Sequence, residues 1–222
     1  MRFQVRHEFP PSEPTGSIRT VPHRNRVTPF GDVIETEARG LLFGNRGVLH
    51  DDRGEIVRPF QGKRWIACRL AFKGRRRPLL RPGRFTELFF LDEATALAAG
   101  HRPCAECRRE DFERFRAAWA ATHPGTPLRV DDVDDVLHAE RVGPDRTKRL
   151  HSAEIGTLPG GSMIALDGEA WLVTRGELLH WTPFGYDDRR LLHDTDVHVL
   201  TPPSIVAVIA EGYRPNLHPT AG

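Results

Sequence analysis

Phe89-Phe90-Leu91-Asp92-Glu93-Ala94-Thr95-Ala96-Leu97-Ala98-Ala99-Gly100-His101-Arg102-Pro103-Cys104-Ala105-Glu106-Cys107-Arg108 is the stretch on which the fold turns. The Phe-rich run from Phe85 to Leu91 reads as a strand. Asp92 is a good N-cap, so a short helix is expected over Glu93–Ala99, and Gly100 sits where it should stop. His101 to Cys107 follows as a tight turn. A second helix is expected over Arg109–Thr122, because Phe112, Phe115 and Trp119 share one face while Glu110, Glu113, Arg114 and Arg116 take the other.

Upstream, Trp65 to Phe72 alternates, with Ile66, Cys68, Leu70 and Phe72 on one side and Arg69 on the other. With Phe85–Leu91 it is expected to form a hairpin whose tip is the basic loop Lys73 to Arg84. Val33 to Leu49, broken by Gly40, Gly44 and Gly47, reads as loops and short strands. Residues 1–30 are rich in Pro, Ser, Thr and Arg without a period, and read as an extended or partly mobile arm.

Downstream, His123-Pro124-Gly125-Thr126-Pro127 breaks the pattern, and a short helix is expected near Val133–Glu140. From Ser162 the pattern becomes β, with short strands at Met163–Leu166, Ala170–Thr174, Glu177–Trp181 and Val197–Leu200. Pro203–Glu211 starts as a helix. His180 to Tyr186 is a dense aromatic segment that suits a sheet core or a pocket wall. The expected class is α+β: an arm over 1–30, a zinc-binding domain over 31–125, and a small, mostly-β domain over 126–222.

Apolar residues are 39% and charged residues 28% of the 222, the profile of a globular chain and not of a disordered or fibrous one. No run approaches the roughly 20 apolar residues of a membrane helix. Met1-Arg2-Phe3-Gln4-Val5-Arg6 has no apolar core, so no secretory signal is read, and a cytoplasmic protein without a membrane partner is expected. Three cysteines are too few, and odd in number, for a disulfide framework; in a reducing compartment a Cys pair is metal-binding or redox-active.

Cys104-Ala105-Glu106-Cys107 can bring two thiolates onto one tetrahedral metal. The following helix presents the positive end of its dipole, and Arg102, Arg108 and Arg109 stand close by, which favours deprotonated sulfur. Cys68 is the remaining thiol, on the apolar face of its strand, where it suits a buried cysteine as well as a ligand.

The stretch from Phe89 to Arg108 resembles the second half of the zinc domain of the bacterial Ada alkylation-response family, in which a Phe-rich strand and an Ala-rich helix precede Gly-aromatic-Arg-Pro-Cys-x-x-Cys-Arg. The likeness extends over about residues 66–110. That family carries an upstream Cys-x-x-x-Cys; Cys68 answers to its first cysteine, Phe72 stands where the second would be, and His101 replaces the aromatic. The resemblance implies Zn2+ bound by Cys68, Cys104 and Cys107, and DNA contact by nearby basic residues. The fourth ligand is then His50, His101 or water, with His50 preferred. The remainder of the chain resembles only uncharacterised bacterial proteins.

From Ile56 to Thr86 there is no Asp or Glu, yet the stretch holds ten Lys and Arg, whereas the whole chain carries only +2. That asymmetry suits a surface that meets a polyanion. Lys73, Arg75, Arg76, Arg77, Arg81, Arg84 and Arg102 are the expected nucleic-acid contacts, with Phe60, Trp65 and Phe72 interleaved. A solvated loop balanced by acids elsewhere, such as Asp131, Asp132, Asp134 and Asp135, is the plainer reading. The leading function is zinc-dependent contact with DNA or other nucleic acid, in repair or stress response. The alternative is an enzyme, in which a three-cysteine zinc or a thiolate transfers or hydrolyses a group. Four protein ligands would favour the first, three plus solvent the second. A protein-binding module is a third reading.

Overall fold

A computed structural model describes residues 22–74, 78–125, 129–193 and 195–222. The fold is α+β. Helix α1 (Glu93–Ala98) begins where Asp92 accepts hydrogen bonds from the Thr95 N–H (2.9 Å) and hydroxyl (2.8 Å). It ends at Gly100, whose φ of +87° suits only glycine without strain and whose missing Cβ leaves room for the Arg141 side chain. Every residue of α1 is buried. Its alanines let three cores approach it: Ala94 and Ala98 enter one, Leu97 a second, and Ala96 with Ala99 a third.

The third of these cores lies on a six-stranded sheet. Its strands are β1 (Arg24–Val27), β2 (Val33–Glu35), β3 (Leu42–Asn45), β4 (Ile66–Arg69), β5 (Leu88–Phe90) and β6 (Arg102–Pro103), in the order β2-β1-β5-β3-β4-β6. β4 and β5 are therefore not the two arms of one hairpin. β3 separates them, pairing Phe43 with Cys68 on one side and with Phe89 on the other. Gly44 makes this possible, since a Cβ there would lie 2.3 Å from the Ile66 carbonyl oxygen and 2.8 Å from the Phe90 ring. Nor is the segment after residue 21 an arm: β1 pairs with β2 and, in parallel, with β5, which buries Asn25 and Val27.

Helix α2 spans Arg109–Thr122 and helix α3 Val130–Arg141, the latter longer at both ends than its apolar pattern indicates. The second sheet holds β7 (His151–Glu154), β8 (Met163–Leu166), β9 (Glu169–Val173), β10 (Glu177–Thr182), β11 (Gly185–Leu191) and β12 (Asp196–Val199), in the order β11-β10-β9-β8-β12-β7. Helix α4 (Pro203–Ala210) returns to α2, where Ile205, Val208 and Ile209 join Phe115, Trp119 and Leu137.

The apolar clusters thus run across residue 125. Trp181 and Tyr186 from the aromatic segment belong to the sheet core beside α1, while Phe184 is exposed. The Trp181 indole donates to the Thr95 hydroxyl (3.0 Å) and the Tyr186 hydroxyl to Asp92 (2.8 Å), so the second sheet is tied to the cap of α1. No helix among the described residues is long and apolar enough to cross a membrane.

A candidate metal centre

β4 carries Cys68 near its end, and β6 lies beside it in parallel, pairing Ile66 with Arg102 and Ala67 with Pro103. The chain then turns: the Cys104 N–H donates to the Ala67 carbonyl (2.9 Å) and the Arg108 N–H to the Cys104 carbonyl (3.1 Å), after which α2 begins. Sheet pairing therefore delivers a third thiol to a locally formed Cys-x-x-Cys turn. The sulfurs of Cys68, Cys104 and Cys107 all lie within 4.8 Å of one another, buried, with no disulfide between them. Three thiols of this kind suit a soft or borderline divalent ion.

The site favours deprotonated sulfur at Cys104 alone. Hydrogen bonds from the Cys107 and Cys68 thiols, then from the Cys107 and Glu106 backbone N–H groups, push the Cys104 thiol down to about 2. The same sharing pushes Cys68 and Cys107 up, because each must hold a proton to donate it. The Arg69 N–H also points at Cys107 Sγ (3.4 Å). A metal ion held here would replace those shared protons, with all three sulfurs bound as thiolates. All three arginines expected to help are paired with carboxylates: Arg102 with Asp134, Arg108 with Glu93 and Asp111, and Arg109 with Glu113.

Neither histidine completes the set. His50 has one ring nitrogen 2.6 Å from the Thr86 hydroxyl and the other 3.2 Å from the Arg81 carbonyl oxygen, outside the sulfur group. His101 is fully buried between Phe90 and Trp65. The cysteines instead form part of the wall of a cleft of about 370 Å³. Phe43, Phe72, Phe85 and Phe89 line it, with Phe43 edge-on to both Phe85 and Phe89 at about 6 Å.

Glu87, buried in the same wall, is the residue that sequence reasoning missed. One carboxylate oxygen accepts from the Leu80 N–H (2.9 Å); the other has no hydrogen-bond partner among the described residues. Its position carried a signal, for it is the first acid after the acid-free stretch.

The basic stretch divides. Lys63 and Arg64 meet Asp135 (2.8 Å) and Asp131 (3.2 Å), so the acidic run on α3 balances them. Arg102 is no nucleic-acid contact: it is buried and bound through two bonds of 2.8 Å to Asp134. Lys73, Arg81 and Arg84 make no ion pair among the described residues; Lys73 lies over the Phe72 ring at 5.0 Å and Arg84 is exposed. These three lie on the segment that contributes Phe72, Leu79 and Phe85 to the cleft. Arg75, Arg76 and Arg77 lie outside the described residues.

Compared with models of protein families, with curated proteins and with solved structures, the chain matches none.

Proposed function

We propose that the chain binds Zn2+ through Cys68, Cys104 and Cys107 and works as a group-transfer or hydrolytic enzyme on an anionic, nucleic-acid-like substrate. The observation that carries this reading is the meeting of three sulfurs within 4.8 Å on the wall of a cleft, with no fourth protein ligand among the described residues. Structural zinc sites are closed by four protein ligands, whereas catalytic ones keep a position for water or substrate. Zinc held there supplies Lewis acidity and keeps sulfur or water deprotonated near neutral pH.

The chain's own groups have matching tasks. The Phe walls exclude water around the reacting group. Glu87 offers, in the cleft wall, a carboxylate oxygen with no hydrogen-bond partner among the described residues, which can accept a proton. Lys73, Arg81 and Arg84, which make no ion pair among the described residues, supply positive charge on the segment that lines the cleft, which draws in a polyanion. The Ada-like order of residues 89–108 supports a setting in DNA repair or stress response, and three free thiols accord with a cytoplasmic one.

Metal content per chain, together with the absorption spectrum of the cobalt-substituted protein, tests this reading. One metal per chain, lost in Cys68→Ser and Cys104→Ser, and a cobalt spectrum that shifts when a small thiol is added, are expected. A folded, metal-free protein would overturn it.

A second reading keeps the zinc as a purely structural support for a nucleic-acid contact; Lys73, Arg81 and Arg84, without an ion pair among the described residues, favour it. A cobalt spectrum indifferent to added thiol, with salt-sensitive DNA binding, selects that reading.

A further inference from the structure

Arg46 follows β3 and Trp65 precedes β4, and both face a second cleft, of about 510 Å³, whose lining includes none of the cysteines. Four cationic side chains line it, Arg46, Arg141, Arg146 and Lys148, against two carboxylates, Asp32 and Asp145. Four positive charges less two negative leave an excess of two.

The cations are held in place by neutral carbonyl oxygens and make no ion pair among the described residues. Arg46 donates to the Gly31 carbonyl (2.8 Å), Arg141 to the Gly100 (2.7 Å) and Lys63 carbonyls, Arg146 to the Phe60 carbonyl (3.1 Å) and Lys148 to the Ala98 carbonyl. Every one of these acceptors is neutral. Arg46 and Arg141 are 3% and 1% exposed, and their guanidinium groups lie over the Trp65 ring at 4.9 and 4.0 Å. The Nε of each has no acceptor among the described residues.

Asp32 beside Arg46 and Asp134 beside Arg141 offset the burial of these charges only in part, and charged groups left in that state concentrate at ligand sites. Burial, foremost, pushes Arg46 down to about 10 and Arg141 to about 9. It pushes Lys148 to about 7, with repulsion from Arg141 and Arg46 adding to it.

We infer that this cleft is a binding site for a phosphoryl dianion, whose two negative charges match the excess of two on its lining. Guanidinium forks match phosphate oxygens, and exposed Arg146 with Lys148 brings donors to the cleft wall. The volume admits a small phosphomonoester as well as free phosphate. The inference does not depend on the metal centre.

Calorimetric titration of the full chain tests it, with inorganic phosphate and a nucleoside 5′-monophosphate as probes and chloride at matched ionic strength as control. Saturable binding of at least one phosphate probe, one per chain, is expected. It should weaken at least tenfold in Arg146→Gln and in Lys148→Gln, and stay unchanged in Cys68→Ser. Tighter binding of the monophosphate identifies a phosphomonoester ligand; binding of phosphate alone identifies the free ion. Arg146 is exposed, so its variant keeps the test open should Lys148→Gln fail to fold. No saturable heat with either probe, heat matched by chloride, or affinity unchanged in Arg146→Gln overturns the inference.

Discussion

Arg102 and Asp134 form a buried two-pronged ion pair, Nε to Oδ1 and Nη2 to Oδ2, both at 2.8 Å. It fastens α3 to the strand that leads into the Cys104 turn, so a residue expected at a nucleic-acid surface instead supports the cysteine cluster from behind. Removing one partner leaves the other charge buried alone. Arg102→Ala should therefore cost about 3–5 kcal/mol in urea unfolding, and Arg102→Lys should recover little of it, because an ammonium cannot span both oxygens.

Gly44 sets the spacing of β3 against β4 and hence the position of Cys68. Its missing Cβ would meet the Ile66 carbonyl at 2.3 Å, and backbone cannot yield as a flexible side chain does. Gly44→Ala should lose more than about 2 kcal/mol, beyond the range of an ordinary surface substitution. Metal stoichiometry, measured on whatever fraction folds, should fall with it.

Metal removal should lower stability, because an ion bound only by the native state stabilises it by mass action. A chelator should depress the melting temperature of the wild type. It should leave Cys104→Ser, which lacks one sulfur, nearly unaffected, and differential scanning calorimetry reads both.

His101 gives a pH dependence of defined sign. Burial, and then the charges of Arg46, Arg141 and Lys148, hold its pKa well below 6.5. Below that value the unfolded chain takes up a proton that the folded one refuses, so stability is complete above about pH 6.5 and declines as pH falls. Both ring nitrogens lack hydrogen-bond partners among the described residues. His101→Leu, of similar volume, should fold and show a flatter acid limb than the wild type between about pH 6.5 and 5 in denaturant titrations. Buried Asp92, whose carboxyl is pushed up, acts with the opposite sign but is common to both proteins.

DNA affinity should separate the two parts of the basic stretch. Neutralising Lys73, Arg81 and Arg84 together should weaken binding and reduce the slope of log K against log salt by about 3. Neutralising Lys63 and Arg64, already paired with Asp135 and Asp131, should change that slope far less.

What could be read from the sequence was local. The Asp92 cap, the stop at Gly100, the bounds of the helix over Arg109–Thr122 and the pairing of Cys104 with Cys107 each depend on residues a few positions apart, where periodicity and capping act. Even β8 could be placed to the residue. β11 could not, since five of its seven residues are exposed and its pairing with β10 leaves no alternating pattern to detect.

Tertiary structure alone decided which strands adjoin and what surrounds each charge. The insertion of β3 between β4 and β5, the exclusion of His50 from the sulfurs, the unpaired oxygen of Glu87 and the gathering of Arg46 with Arg141 all join segments distant in the chain. Cysteine spacing fixes which thiols can share a turn, because the chain between them is short. Whether a third sulfur and an open cleft meet that turn depends on packing between remote segments, whose energy no short window of residues contains.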